Sequence, residues 1–125
     1  MKHIRQPRRS VLCAHACVAM ILGLELDEGV KLLGHRRATR TKELVQLIGK
    51  HAKDKRLISV RQRPAPAKAL LRVTWGKSHR GHFAIKRGTT IYDPLRWGPL
   101  PQDEWEEWIS EHSGRVTSAL ELRLT

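Results

Sequence analysis

Cys13 and Cys17 sit four residues apart in an apolar run, behind the basic lead Arg5-Gln-Pro-Arg-Arg-Ser10. A thiol in the first turn of a helix has its thiolate stabilised by free backbone N–H groups and the helix dipole. With Ser10 as N-cap, Cys13 falls in that first turn. Cys17 lies one turn deeper, where apolar surroundings would leave it inert packing. A nucleophilic thiol needs an imidazole as base and a carboxylate or amide to orient it, drawn from elsewhere in the chain. His82 and Asp93 supply both. They flank the β-rich runs of His82-Phe-Ala-Ile-Lys-Arg-Gly-Thr-Thr-Ile-Tyr-Asp93-Pro94, which read as a hairpin turning at Arg87-Gly88. That turn pairs Lys86 with Thr89 and sets His82 directly across from Asp93. Opposed Cβ atoms in an antiparallel pair lie about 4.5–5.5 Å apart, close enough for the carboxylate to fix the ring's tautomer. Acyl transfer also needs a donor for the oxyanion, and the Gln6 side-chain amide, seven residues before Cys13, suits that role.

These groups need a helix and a sheet to hold them. Leu12, Cys13, Ala16, Cys17, Met20 and Ile21 recur at helical spacing, so the pattern predicts a helix over Val11–Gly23, with Gly23 as C-cap. Asp27 caps a short second helix ending at Gly34, and Lys42–His51 reads as a third with Leu44, Leu47 and Ile48 inward. Short strands are expected around Leu57–Val60 and at Leu70–Trp75, and Val116–Leu124 alternates as a closing strand. Residues 102–111 read as an amphipathic helix whose Trp105, Trp108 and Ile109 belong to the core. Helices come mostly before strands, an α+β order. No repeat, linker or low-complexity segment divides the chain, so residues 1–125 form one domain.

The chain carries a net +12, unevenly spread. Residues 31–87 hold 17 Lys/Arg against Glu43 and Asp54, a net of +15, whereas residues 88–125 hold three Arg against seven acids, a net of −4. Such a basic middle attracts acidic proteins, nucleic acid or anionic lipid. Two cysteines make no disulfide framework, and a pair four apart on one helix is poorly aimed to bond. The expectation is reduced thiols and a cytoplasmic protein. The basic start followed by Val11–Leu24 has the outline of an export signal. Its small residues lie inside the apolar run, however, and Glu25-Leu-Asp-Glu28 follows it. Fourteen apolar-run residues also fall short of the ~20 that span a bilayer.

Gln6, Cys13-Ala-His-Ala-Cys17-Val-Ala-Met20, Gly81-His82-Phe-Ala-Ile and Ile91-Tyr-Asp93-Pro94 together resemble the papain-like cysteine peptidases. The likeness is greatest to the branch that processes bacteriocin leaders at double-glycine sites. It covers Gln6 to Pro94, concentrated in those short blocks. Ala14 stands where that branch has Gly, and the Gln6–Cys13 spacing is one residue longer. The resemblance implies a papain-like fold, with the Cys helix packed on an antiparallel sheet carrying His and Asp. It implies Cys13 as nucleophile, His82 as base, Asp93 as its orienter and Gln6 as oxyanion donor. The implied activity is hydrolysis of a peptide or isopeptide bond in a peptide or protein substrate, an acidic one if the basic middle recruits it. No metal or cofactor is implied.

Other classes make other demands. Zinc would need Cys13 and Cys17 with two further ligands such as His79 and His82, and there is no second Cys pair. His79 is also an alternative base, at the opposite strand parity to His82. His3, His15, His35, His51 and His112 read as surface or capping residues. Trp75 and Trp97 are candidates for the wall of a substrate cleft. Nucleic-acid binding rests on charge alone, because the basic segment lacks interleaved aromatics and any recognition motif. An inactive papain-like module that binds peptides and a basic nucleic-acid-binding protein are therefore the alternatives to a hydrolase.

Overall fold

The computed structural model describes residues 1–76 and 81–124, so His79 lies outside the described residues. Helix α1 spans Cys13–Leu22 and is buried from Ala14 to Ile21. A helix that is apolar on all sides belongs inside the molecule. Accordingly α1 packs against α2 (Leu26–Leu33), α3 (Thr41–Ile48) and the sheet.

Its start differs from the expected Val11. The N-cap is Leu12, not Ser10, and no side chain caps the helix. The cause lies upstream: Pro7 O accepts the Ser10 N–H at 3.1 Å, closing a turn in which Arg9 takes φ 58°. That turn spends Ser10 before the helix begins and makes Cys13 the first helical residue. Asp27 does not cap α2; Glu25 does, through a reciprocal capping box with Glu28. Helix α3 starts at Thr41 and ends at Ile48, its last expected turn tightening into a 3₁₀ segment over Gly49–His51.

Among the described residues, six strands form one antiparallel sheet: β1 Ile58–Ser59, β2 Lys68–Trp75, β3 Gly81–Arg87, β4 Thr90–Tyr92, β5 Leu100–Pro101 and β6 Gly114–Glu121, in the order β1-β6-β2-β3-β4-β5. Strand β6 does not close an edge, because it pairs with both β1 and β2. Helix α4, Gln102–Glu111, covers the other face. Alternation along β2 divides the core in two. Leu70 joins Phe83, Ile85 and Leu120 beneath α1 and α3, while Ala69, Leu71 and Val73 join Ile91, Trp105 and Ile109 beneath α4. Each fully buried Leu or Ile in these layers contributes about 1.5–3 kcal/mol. The architecture is thus α+β, with α1 and α4 clasping a sheet whose β3–β4 hairpin carries His82 and leads to Asp93. Among the described residues, no helix is long and apolar enough to cross a membrane.

Candidate active site

The hairpin turns one residue later than its sequence suggests. Arg87 pairs with Thr90, Lys86 with Ile91 and Ile85 with Tyr92, so the loop is Gly88-Thr89 rather than Arg87-Gly88. Two-residue hairpin loops of the favoured types need φ > 0 at their first position, and Gly88 takes it at φ 67°. Lys86 therefore does not oppose Thr89. Continuing the register sets Asp93 opposite Ala84 rather than His82. Because Ala84 and His82 share a face, the shift changes the partner without flipping the side chains. The His82 ring crosses the diagonal, and its Nε2 lies 2.6 Å from Asp93 Oδ1.

Asp93 is fully buried. A carboxylate there must have its oxygens satisfied, and three donors converge on it. Oδ1 also accepts the Leu95 N–H at 2.8 Å, and Oδ2 accepts the Trp105 Nε1–H at 2.8 Å. Burial pushes the Asp93 carboxyl upward. The bond and charge of His82 together with the two further N–H groups outweigh it and hold the carboxyl below its ordinary value. His82 is also buried, which alone would lower its pKa. The hydrogen bond to Asp93 and then one to the Cys13 sulfur reverse that and raise it from 6.5 to about 10. These partners favour the charged imidazole, and its Nε2–H donates to Asp93. Cys13 Sγ, imidazole and carboxylate thus form one chain. Trp75 lies beside this imidazole at 5.9 Å between centroids and meets Trp108 edge-on at 6.1 Å.

Cys17 is fully buried in the core with α1's other inward residues. Burial pushes its thiol well above the ordinary value, with smaller contributions from Cys13 and Asp93. Both cysteines are free. No group of three or more His, Cys, Asp or Glu among the described residues could hold a metal ion.

Gln6 is buried and tied to the same region, its N–H donating to Pro94 O at 2.8 Å. Its side-chain amide does not point unengaged at Cys13. Nε2 donates to Ser10 O at 2.9 Å and meets Ser10 Oγ at 3.3 Å. The second contact is the longer and ends on a hydroxyl that can rotate away. The Cys13 N–H is a second donor, because the first N–H groups of a helix have no partner within it. His3 Nε2 lies 2.8 Å from Arg96 O, so the lead segment is docked on the loop after Asp93. Trp97 on that loop is 83% exposed, with the Arg5 guanidinium 3.4 Å above its ring.

Two features of the site were not read from the sequence. Trp105, expected only in the core, anchors Asp93; a buried indole N–H needs an acceptor, and that requirement is the signal. The Leu95 contact is an Asx turn, which Asp93-Pro94-Leu95 permits. His15 also departs from expectation, for it is fully buried rather than at the surface. Its Nε2–H donates to His35 O at 2.7 Å, and His35 Nε2 lies 2.8 Å from Glu43 Oε2. No family model, curated protein or solved structure matches the chain.

Proposed function

We propose that this chain is a papain-like cysteine hydrolase that cleaves a peptide or isopeptide bond through Cys13. The observation that carries the reading is the chain from half-buried Cys13 through buried His82 to buried Asp93, in which the imidazole, its pKa raised, sits between a thiol and a carboxylate. The Cys13 thiolate attacks the carbonyl carbon, and the oxyanion forms against the Cys13 N–H and the Gln6 amide. Collapse breaks the C–N bond, with His82 giving its proton to the departing amine. His82, now neutral, takes a proton from water as that water attacks the thioester. The C–S bond then breaks to release the acid, and thiolate and imidazolium are restored. Asp93 holds the ring in place, and Trp105 and Leu95 hold Asp93. The Pro7–Ser10 turn, with Arg9 at φ 58°, accommodates the long Gln6–Cys13 spacing. Two free thiols suit a reducing compartment such as the cytoplasm.

The test is alkylation of the native protein with iodoacetamide from pH 5 to 10, mapped by mass spectrometry, in wild type, Cys13→Ala, Cys17→Ala and His82→Ala. Fast labelling of Cys13 near neutral pH, slowed by His82→Ala and indifferent to Cys17→Ala, is the expected result. Labelling no faster than a free thiol would instead leave an inactive peptide-binding module or a nucleic-acid binder.

A further inference from the structure

The lead segment before α1 is extended. Pro7 disfavours the helical region at Gln6, and burial alternates along the chain: Ile4 and Gln6 are buried, whereas His3 and Arg5 are half-buried. An extended backbone turns successive side chains to opposite sides. Ile4 joins the core beneath α1, while His3 and Arg5 turn to the loop that follows Asp93.

Contacts with that loop hold the segment residue by residue. His3 Nε2–H donates to Arg96 O at 2.8 Å, and its ring stacks on Tyr92 at 6.2 Å between centroids. The Arg5 guanidinium lies 3.4 Å above the centre of the Trp97 ring. The Gln6 N–H donates to Pro94 O at 2.8 Å. The loop is itself fastened to Asp93, whose Oδ1 accepts the Leu95 N–H and whose main-chain O accepts the Arg96 N–H at 2.9 Å. One short loop therefore anchors both the carboxylate behind His82 and the segment that bears Gln6.

The Gln6 side chain has few holds of its own. Nε2 donates to Ser10 O, in the turn that leads into Cys13. Oε1 is buried with no hydrogen-bond partner among the described residues. The place of the amide is thus set largely by the backbone that carries it, and the contacts of His3 and Arg5 fix that backbone.

We propose that His3 and the Arg5–Trp97 pair are positioning residues that hold Gln6 in place as oxyanion donor, so that the loop after Asp93 sets both the orienting carboxylate and the oxyanion site. The proposal rests on Cys13 being the nucleophile and Gln6 the donor.

The test compares two probes of Cys13 in each variant, both corrected for the Cys13→Ala background. p-Nitrophenyl acetate is attacked at its carbonyl carbon. A C–S bond forms, an oxyanion develops, and the C–O bond breaks to release p-nitrophenolate and leave a thioester. Iodoacetamide loses iodide from a saturated carbon and needs no oxyanion site. The ratio of the two second-order rates therefore reports the oxyanion site and cancels thiol reactivity. Gln6→Ala is expected to lower the ratio by about a hundredfold. His3→Ala should lower it by about tenfold, the scale of one hydrogen bond. His3→Gln, which keeps a donor, should recover part of that loss. Arg5→Ala and Trp97→Leu should each lower the ratio by about threefold, the scale of an exposed cation–π contact. The double variant should lose no more than either alone, and Trp97→Phe should keep the wild-type ratio. Trp97 is largely exposed, so its variants remain informative even if His3→Ala loosens the fold. The acetyl probe carries no peptide, so a Trp97 that merely walls a substrate cleft would leave the ratio unchanged. An unchanged ratio in the His3, Arg5 and Trp97 variants, with Gln6→Ala impaired, would overturn the positioning role alone. A ratio indifferent to Gln6→Ala would remove the oxyanion role beneath it. Wild-type iodoacetamide capture no faster than that of a free thiol would overturn the hydrolase reading itself.

Discussion

Among the described residues two histidines are buried, and they have opposite electrostatic fates. His82 and His15 are 4% and 0% exposed, so burial opposes charge on both. His82 meets a buried carboxylate at 2.6 Å and is pushed up to about 10. His15 meets a backbone carbonyl at 2.7 Å, and its pKa falls, burial being the largest cause. A carbonyl dipole does not offset desolvation, whereas an ionised partner with its own donors does. The carboxylate nearest His15's network, Glu43, is spent on His35 and on Arg37 at 3.6 Å. Burial alone therefore does not mark a histidine as chemical. The buried carboxylate behind it does.

The comparison breaks most visibly in reactivity. His82→Ala should slow iodoacetamide capture of Cys13 at neutral pH by roughly 10²–10⁴, the span of general acid–base assistance. His15→Leu should leave the rate within about twofold, since His15 donates to a carbonyl away from the thiol. Equal losses in the two variants would mean that the helix, not the imidazole, sets the reactivity.

Stability gives the next effect. Asp93→Asn removes the counter-charge of a buried imidazolium and should cost about 3–5 kcal/mol in urea unfolding. Glu43→Gln should cost far less, because the Glu43 side chain is partly exposed and its ion pairs are screened by solvent. Trp105→Phe keeps the ring but loses the bond to Asp93 Oδ2, with an expected cost of about 1.5–3 kcal/mol. It should also slow Cys13 capture, which simple loss of packing would not do.

The pH dependence separates the two histidines by sign. His82 has a folded pKa raised above 6.5, so its contribution is complete below pH 6.5 and is lost as pH climbs through about 10. Asp93 is depressed below 3.8, so its contribution is present above that value and lost on acidification. His15 is lowered below 6.5, so it favours the folded state above pH 6.5 and costs stability as it is forced to charge below it. Melting temperatures from pH 3 to 10 should therefore fall on the alkaline side. Asp93→Asn should flatten that fall, and His15→Leu should flatten the decline below pH 6.5.

Much of this arrangement was legible in the residues, and its gaps have physical causes. The apolar periodicity of Val11–Gly23 located α1 to within two residues, because a helix buried on all sides announces itself. The amphipathic 102–111 segment matched α4 residue for residue. His82 and Asp93 were placed on one face although the turn was misread, because a shift of one pair preserves parity. Ser10 misled because a serine before an apolar run is an ordinary cap, while here Pro7 and Arg9 turn the chain first. Trp105 was hidden for another reason: a tryptophan on an apolar helix face satisfies a core reading, and only the fold brings its N–H to Asp93. The central place of β6 was equally hidden, since strand order depends on long-range pairing.

The most direct measurement is the ring ¹⁵N NMR of His82 in wild type and Cys13→Ala across pH 5 to 11. Both ring nitrogens should remain protonated at pH 8 in wild type, because Asp93 and Cys13 raise the pKa to about 10. Removing the sulfur should lower the midpoint, while that of His15, which burial holds below its ordinary value, should not follow. A His82 that titrates near 6.5, or whose midpoint ignores Cys13→Ala, would contradict a coupled thiol, imidazole and carboxylate.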